Sequence, residues 1–137
     1  MYTQPLKLFW LWLFFPLIVS ANFVHWEGDY DIAHQKALNE HKPLLVLVIK
    51  KDSTNSENII KNVFMNQPYV KRINQEMVAV IVMYEGSKSY PVEMYYTTVF
   101  PTLFFVDSGR ELFLVKPVYG NAISVKVIEE KVIELLQ

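Results

Sequence analysis

The chain has 137 residues, 52% of them hydrophobic, with 13 Lys and Arg against 14 Asp and Glu and no cysteine. That length suits one domain rather than two, and the apolar content is enough for a real core. The missing cysteine excludes disulfides and thiolate chemistry, and the balanced charge, with no polybasic run, argues against nucleic-acid partners and strong attraction to anionic lipid.

The first element is a leader. Leu8 to Ser20 reads Leu-Phe-Trp-Leu-Trp-Leu-Phe-Phe-Pro-Leu-Ile-Val-Ser, with Lys7 before it and the small residues Val19-Ser20-Ala21 closing it. This pattern is a secretory signal peptide over residues 1–21, cut after Ala21, which leaves a domain of residues 22–137. The alternative is a retained anchor, which needs roughly 20 apolar residues; this run is shorter and interrupted by Pro16. Cleavage removes Lys7, so 12 basic residues then face 14 acidic ones and the net charge is −2. The chain ends Ile-Glu-Leu-Leu-Gln, without a Lys-Asp-Glu-Leu-like retention signal. The expected location is periplasmic or secreted, with no stable membrane association after cleavage.

Asn22 to Trp26 reads as a short first strand or a linker. Tyr30, Ala33, Ala37 and Leu38 recur at helical spacing, which predicts a helix over Tyr30 to His41, capped by Asp29 and stopped by Lys42-Pro43. Leu44 to Ile49 is six apolar residues in a row, the signature of a strand covered on both faces. Asn58 to Asn74 is predicted helical, with stripes at Ile59, Ile60, Val63, Phe64 and at Val70, Ile73, and a break at Pro68. Met77 to Met83 is a second buried strand, and Glu85 to Ser89 a loop. Pro91 to Tyr96 reads as a short helix. Val99 to Val115 reads as strand, Asp-Ser-Gly-Arg turn, strand. Asn121 to Leu136 is a last helix. Parallel strands joined by helices and closed by an antiparallel hairpin predict a mixed sheet in an α/β layered domain.

The polar run after the first buried strand is Lys50-Lys51-Asp52-Ser53-Thr54-Asn55-Ser56-Glu57. Thr54 to Glu57 fits a capping box with Thr54 as N-cap. A sharper reading is an anion or peptide-end site at the helix start, near Lys50 and Lys51. A serine nucleophile would need an oriented base, and none of His25, His34 and His41 is paired with Ser53 or Ser56 by any motif. With no cysteine and no His-x-x-x-His, no metal and no cofactor is expected.

Three segments resemble the thioredoxin superfamily. They are Ala37 to Val46, with its helix-Lys-Pro-strand entry; Val63-Phe64 with Pro68-Tyr69-Val70; and Phe100-Pro101-Thr102-Leu103-Phe104-Phe105-Val106-Asp107-Ser108-Gly109-Arg110. The likeness runs from about Trp26 to the C-terminus. It implies a three-layer sandwich: a mixed central sheet with helices on both faces and a C-terminal hairpin plus helix. It implies a cis bond before Pro101. It also puts Ser53 and Ser56 where the family carries its two reactive cysteines, with Asp52 in place of the usual aromatic residue before them and Leu47 in place of the buried acid of classical thioredoxins.

The resemblance therefore implies the fold without dithiol chemistry, because a serine hydroxyl cannot serve as the thiolate of disulfide exchange. In redox-active relatives the backbone before the cis-proline pairs with an extended substrate segment, and that pairing needs no sulfur. The expected function is protein or peptide binding by strand addition, on a surface formed by Phe100, Pro101, Tyr95 and Thr54, with Tyr96 nearby. The alternatives are an accessory subunit of an envelope oxidoreductase system and a structural envelope protein. Enzyme activity is not expected.

Overall fold

A computed structural model describes residues 22–86 and 89–137; the leader read at residues 1–21 lies outside them. The sheet is built around strand β2 (Leu44–Lys50), and strand β1 (Trp26–Glu27) lies at one edge. Strand β3 (Val78–Tyr84) runs parallel to β2, from Leu44 opposite Val78 to Lys50 opposite Tyr84. β1 pairs in parallel with the outer side of β3. Strand β4 (Thr102–Asp107) runs antiparallel along the other side of β2, from Leu44 opposite Val106 to Val48 opposite Thr102. Two short strands, β5 (Leu112–Phe113) and β6 (Val118–Tyr119), both pair antiparallel with β4. The order is β1-β3-β2-β4-β5, a mixed sheet.

Successive strand residues face opposite sides, and here both sides are covered. Leu44, Val46 and Val48 pack with Val78, Val80, Val82, Phe104 and Val106 against Tyr30, Ala33 and Ala37 of helix α1 (Tyr30–Glu40). Leu45 and Leu47 pack with Ala79, Leu103 and Phe105 against the other face's helices, α2 (Thr54–Val63), α3 (Tyr69–Glu76) and α4 (Val125–Leu135). Leu44 through Val48 have no solvent exposure at all. Each such Leu or Val is stabilising by roughly 1.5–3 kcal/mol, which is how a domain without disulfides holds together.

Local chemistry sets the helix ends. Asp29 Oδ1 accepts from the Ile32 N–H at 3.1 Å, and His41, at φ 54°, closes α1 in the left-handed region. The Ser124 hydroxyl accepts from Val127 N–H at 3.3 Å and starts α4. Asp107 Oδ1 accepts from Gly109 and Arg110 N–H at 3.0 and 2.9 Å, fixing the turn after β4.

Several expectations shift. The helix expected over Asn58 to Asn74 is two helices, and the first begins four residues earlier, at Thr54. Between them Phe64 is buried, Met65 forms a bridge to Phe23, and Asn66 takes a positive φ of 58°. Pro68 sits at the N-cap of α3, where its fixed φ suits the first turn and its missing N–H costs nothing. Pro91 to Tyr96 is a single turn, with Met94 and Tyr95 N–H both bonded to Pro91 C=O, and not a helix. The last helix starts at Val125 because a 3₁₀ turn, Gly120–Ala122, precedes it. The first strand is only Trp26–Glu27.

Burial also sets an alkaline limit. The Tyr69 hydroxyl donates to Val63 C=O, and burial pushes its pKa up to about 12. Tyr95 and Tyr30 are raised as well, chiefly by burial. An acid whose folded pKa lies above its unfolded value stabilises fully below the unfolded pKa, about 10 for tyrosine, and loses that contribution as pH rises. Unfolding free energy from urea titration is expected to be flat to about pH 9 as far as tyrosines control it, and to fall between about pH 10 and 12. Tyr69→Phe should make that fall shallower; an unchanged slope would contradict this assignment.

Candidate functional site

β2 ends at Lys50, α2 begins at Thr54 and β4 begins at Thr102. β2 enters this end of the sheet and β4 leaves it, so the three segments meet there. The last paired residues are Val48 and Thr102, and just beyond them Lys50 Nζ stands 5.9 Å above the Phe100 ring. The Tyr84 ring, at the end of β3, lies 5.0 Å from the same ring. Phe100 is half-buried between them, and Pro101 is buried. The Phe100–Pro101 peptide bond is cis.

The turn before Pro101 is held by hydroxyls. Thr97 Oγ1 accepts from Val99 N–H at 3.1 Å, and Thr102 Oγ1 donates to Val99 C=O at 2.6 Å. The two hydroxyls are 3.0 Å apart, and both residues are buried. Gly120 N–H donates to Pro101 C=O at 2.7 Å. Gly120 has φ 53°, and a Cβ there would stand 3.2 Å from Val99 Cγ1, so glycine answers both the backbone shape and the close approach. These bonds use up the Val99 backbone. The N–H and C=O of Phe100 have no hydrogen-bond partner among the described residues.

The start of α2 is one tight turn away from Lys50. Ser53 N–H bonds to Lys50 C=O at 3.3 Å, and Asp52 takes a positive φ of 59°. Ser53, not Thr54, is the N-cap: its Oγ accepts from Ser56 N–H at 3.2 Å. The capping box expected with Glu57 is therefore out of register by one residue. Starting the helix at Thr54 turns Ser56, Ile59 and Val63 inward, and that inward stripe decides the register. Thr54 is exposed. Ser56 is 2% exposed, and its Oγ has no hydrogen-bond partner among the described residues.

Tyr95 does not belong to this surface. It is 1% exposed, its hydroxyl is 2.8 Å from that of Tyr30, and its ring packs edge-on against Phe104. The Pro91 turn tucks it under the α1 face, where the Tyr30 hydroxyl meets its polar end. Its neighbour Tyr96 points out, at 65% exposure. His34 Nε2 sits 2.9 Å from Ser108 C=O and 3.5 Å from Glu111, and no contact links it to Ser53 or Ser56. Among the described residues no cluster of three His, Cys, Asp or Glu side chains could hold a metal ion.

Lys50 was noted from the sequence as a neighbour of the helix start, whereas the roles of Thr97, Thr102 and Gly120 in shaping the site were not. The signal for these three was available: Thr97-Thr98 and Thr102 bracket an otherwise apolar Val-Phe-Pro, and a lone glycine follows Tyr119.

Two substitutions separate support from cost. Thr97→Val removes the acceptor of the part-buried Val99 N–H and the buried hydroxyl partner of Thr102, and is expected to lower stability by about 1–3 kcal/mol. Ser56→Ala removes an unpartnered hydroxyl and is expected to raise stability by about 1 kcal/mol. Urea unfolding of both variants measures each change, and a destabilised Ser56→Ala would show that the hydroxyl has a partner in the folded chain.

No protein-family model matches the chain. No curated protein matches it either. Solved structures do. One, described as "DsbH Oxidoreductase", superposes with a TM-score of 0.60 at 17% identity over 87% of this chain and 93% of that one. A thioredoxin from Thermus thermophilus superposes with a TM-score of 0.66 at 15% identity over 82% of this chain and 87% of that one. Sheet order, helices on both faces and these superpositions agree: the chain has a thioredoxin-like fold.

Proposed function

We propose that this is an exported thioredoxin-like protein without dithiol redox activity, which binds an extended peptide segment of a partner protein at the Phe100–Pro101 surface. The observation that carries the reading is the free backbone of Phe100. A turn pinned on both sides by Thr97, Thr102 and Gly120 leaves one residue's N–H and C=O unpaired at the rim of the sheet. An extended ligand can take both bonds, as in strand addition. Val99, at 44% exposure, and Tyr119, at 49%, offer apolar area beside it.

The chain's chemistry supports the redox part of the proposal. It has no cysteine, so it can form no mixed disulfide with a substrate. Ser53 and Ser56, at the spacing of the family's cysteine pair, serve in this reading as a cap and a buried hydroxyl. The export part rests on the leader sequence, and the location is periplasmic or secreted. A second reading, an accessory subunit of an envelope oxidoreductase system, draws on the likeness to a solved oxidoreductase. It would use the same surface.

Two measurements test this. In a dithiol-driven insulin reduction assay the protein should match the no-protein control; turnover above it would contradict redox inactivity. Phe100→Glu should reduce partner capture from the native compartment at least tenfold, about 1.4 kcal/mol, while the variant melts near the parent. Capture equal to the parent's would remove this surface from the proposal.

A further inference from the structure

We infer that the peptide segment bound at Phe100 presents a carboxylate, which is received at the start of α2 by the N–H groups of Thr54 and Asn55, the Ser56 hydroxyl and the Lys50 ammonium. This rests on the peptide-binding reading of the same surface. It adds which chemical group the site selects.

Four observations converge. First, α2 is ten residues long, and its first two N–H groups, on Thr54 and Asn55, have no acceptor among the described residues. The cap bonds go elsewhere: Ser53 Oγ takes Ser56 N–H and Ser53 C=O takes Glu57 N–H. Open N–H groups at a helix start bind anions, helped by the helix dipole.

Second, Ser56 is a buried hydroxyl with no hydrogen-bond partner among the described residues. It stands in the first turn, on the stripe that faces the sheet with Ile59 and Val63. The Cα–Cβ bond of every helical residue leans toward the helix N-terminus, so Ser56 Cβ leans toward the end of the helix that carries the open amides. Buried polar groups are nearly always bonded, and one that is not needs a reason.

Third, Lys50 is exposed and has no acidic partner among the described residues. Its ammonium stands 5.9 Å above the Phe100 ring, and the Lys50 C=O accepts from the N–H of Ser53, the N-cap of α2. Fourth, the two acids nearest the helix start leave the position open. Asp52 and Glu57 are exposed, and neither carboxylate accepts a bond from an α2 amide.

The set is dominated by donors: two amide N–H, an ammonium and one hydroxyl, which can also accept. A carboxylate is acceptor-only and takes up to four such bonds. A neutral amide side chain brings its own donors, and only the hydroxyl could accept from them. The carboxylate can come from an Asp or Glu side chain in the ligand or from its C-terminus.

The test uses the isotope-labelled chain and three short valine-rich peptides of one length. One is capped at both ends with a central Glu, one is the same with Gln, and one is the Gln peptide with a free C-terminal carboxylate. The amide shifts of Thr54, Asn55 and Phe100 are followed. At least one carboxylate peptide is expected to bind about tenfold tighter than the capped Gln peptide, with shifts at Thr54 and Asn55 that the Gln peptide does not cause. Which one does so identifies the source as side chain or C-terminus. Ser56→Ala should cut that peptide's affinity about fivefold while raising the melting temperature of the free protein, and Lys50→Gln should cut it about threefold. Equal binding of all three peptides, with shifts at Phe100 alone, overturns the carboxylate inference and leaves the peptide surface standing. Shifts at Thr54 and Asn55 without any at Phe100 overturn the peptide surface, and with it the placing of the carboxylate on a segment bound there. A Ser56→Ala variant that binds like the parent removes the hydroxyl from the site.

Discussion

Strand β2 is hydrogen-bonded on both edges, by β3 and β4, and covered on both faces, by α1 and by α2 to α4. It therefore has no position for a polar side chain until Ile49 and Lys50, where it leaves the core. Its two neighbours run in opposite directions. β3 is parallel, so the chain must return through α2 and α3 before β3 can begin. β4 is antiparallel, so it begins at the end of the sheet where β2 and β3 finish. Those two directions alone bring Lys50, the start of α2, Tyr84 and the Phe100–Pro101 turn to one rim. Ligands of open α/β sheets gather outside such strand ends for the same reason.

At that rim the backbone must turn sharply, and the bonds it cannot make to the ladder have to be found elsewhere. Asp52 and Glu85 take left-handed conformations as the chain leaves β2 and β3. Thr97 and Thr102 serve Val99, and Gly120 serves Pro101. The groups left over are not scattered. The Phe100 backbone, the first two amides of α2 and the Ser56 hydroxyl belong to the two segments that flank Lys50. The rim is bonded at Val99 and Pro101, and its unpaired groups lie at Phe100 and at the first turn of α2.

The sheet was the readable part of this sequence. Unbroken apolar runs at Leu44 to Ile49 and Met77 to Met83 point to buried strands, and strands formed there, buried on both faces except toward their ends, where Ile49 and Ile81 are half-buried and Met83 is exposed. The face each residue takes followed from the two-residue period. Short elements were not readable. β6 is two residues long, and no periodicity exists in two residues; only the glycine after it hinted at a change of direction. The capping register was off by one because Ser53 and Thr54 are both good caps, and the choice lay with the inward stripe of α2, a tertiary matter. Tyr95 and Tyr96 show the same limit. They are adjacent and chemically identical, yet one lies in the core and the other in solvent. What separates them is the Tyr30 hydroxyl, 65 residues away in sequence. At the site, the Phe-Pro-Thr segment was recognisable by likeness, whereas the role of Thr97 required the folded turn.

Four polar residues are buried in the described chain: Ser56, Thr97, Thr102 and Ser108. Three are bonded in place, Ser108 by donating to Lys42 C=O at 2.8 Å. Ser56 is the exception, and the chemistry of its position makes serine the unfavourable choice. Alanine would fill nearly the same space, is the better helix former, and would bury no hydroxyl. The difference, about 1 kcal/mol for this unpartnered group, is a sizeable fraction of the roughly 5–15 kcal/mol that keeps a domain folded. A domain held by its core alone bears that cost at one place, beside two open amides and an unpaired lysine. The same hydroxyl becomes favourable once an acceptor enters from outside, because the burial that penalises it in the free protein strengthens its bond in the complex.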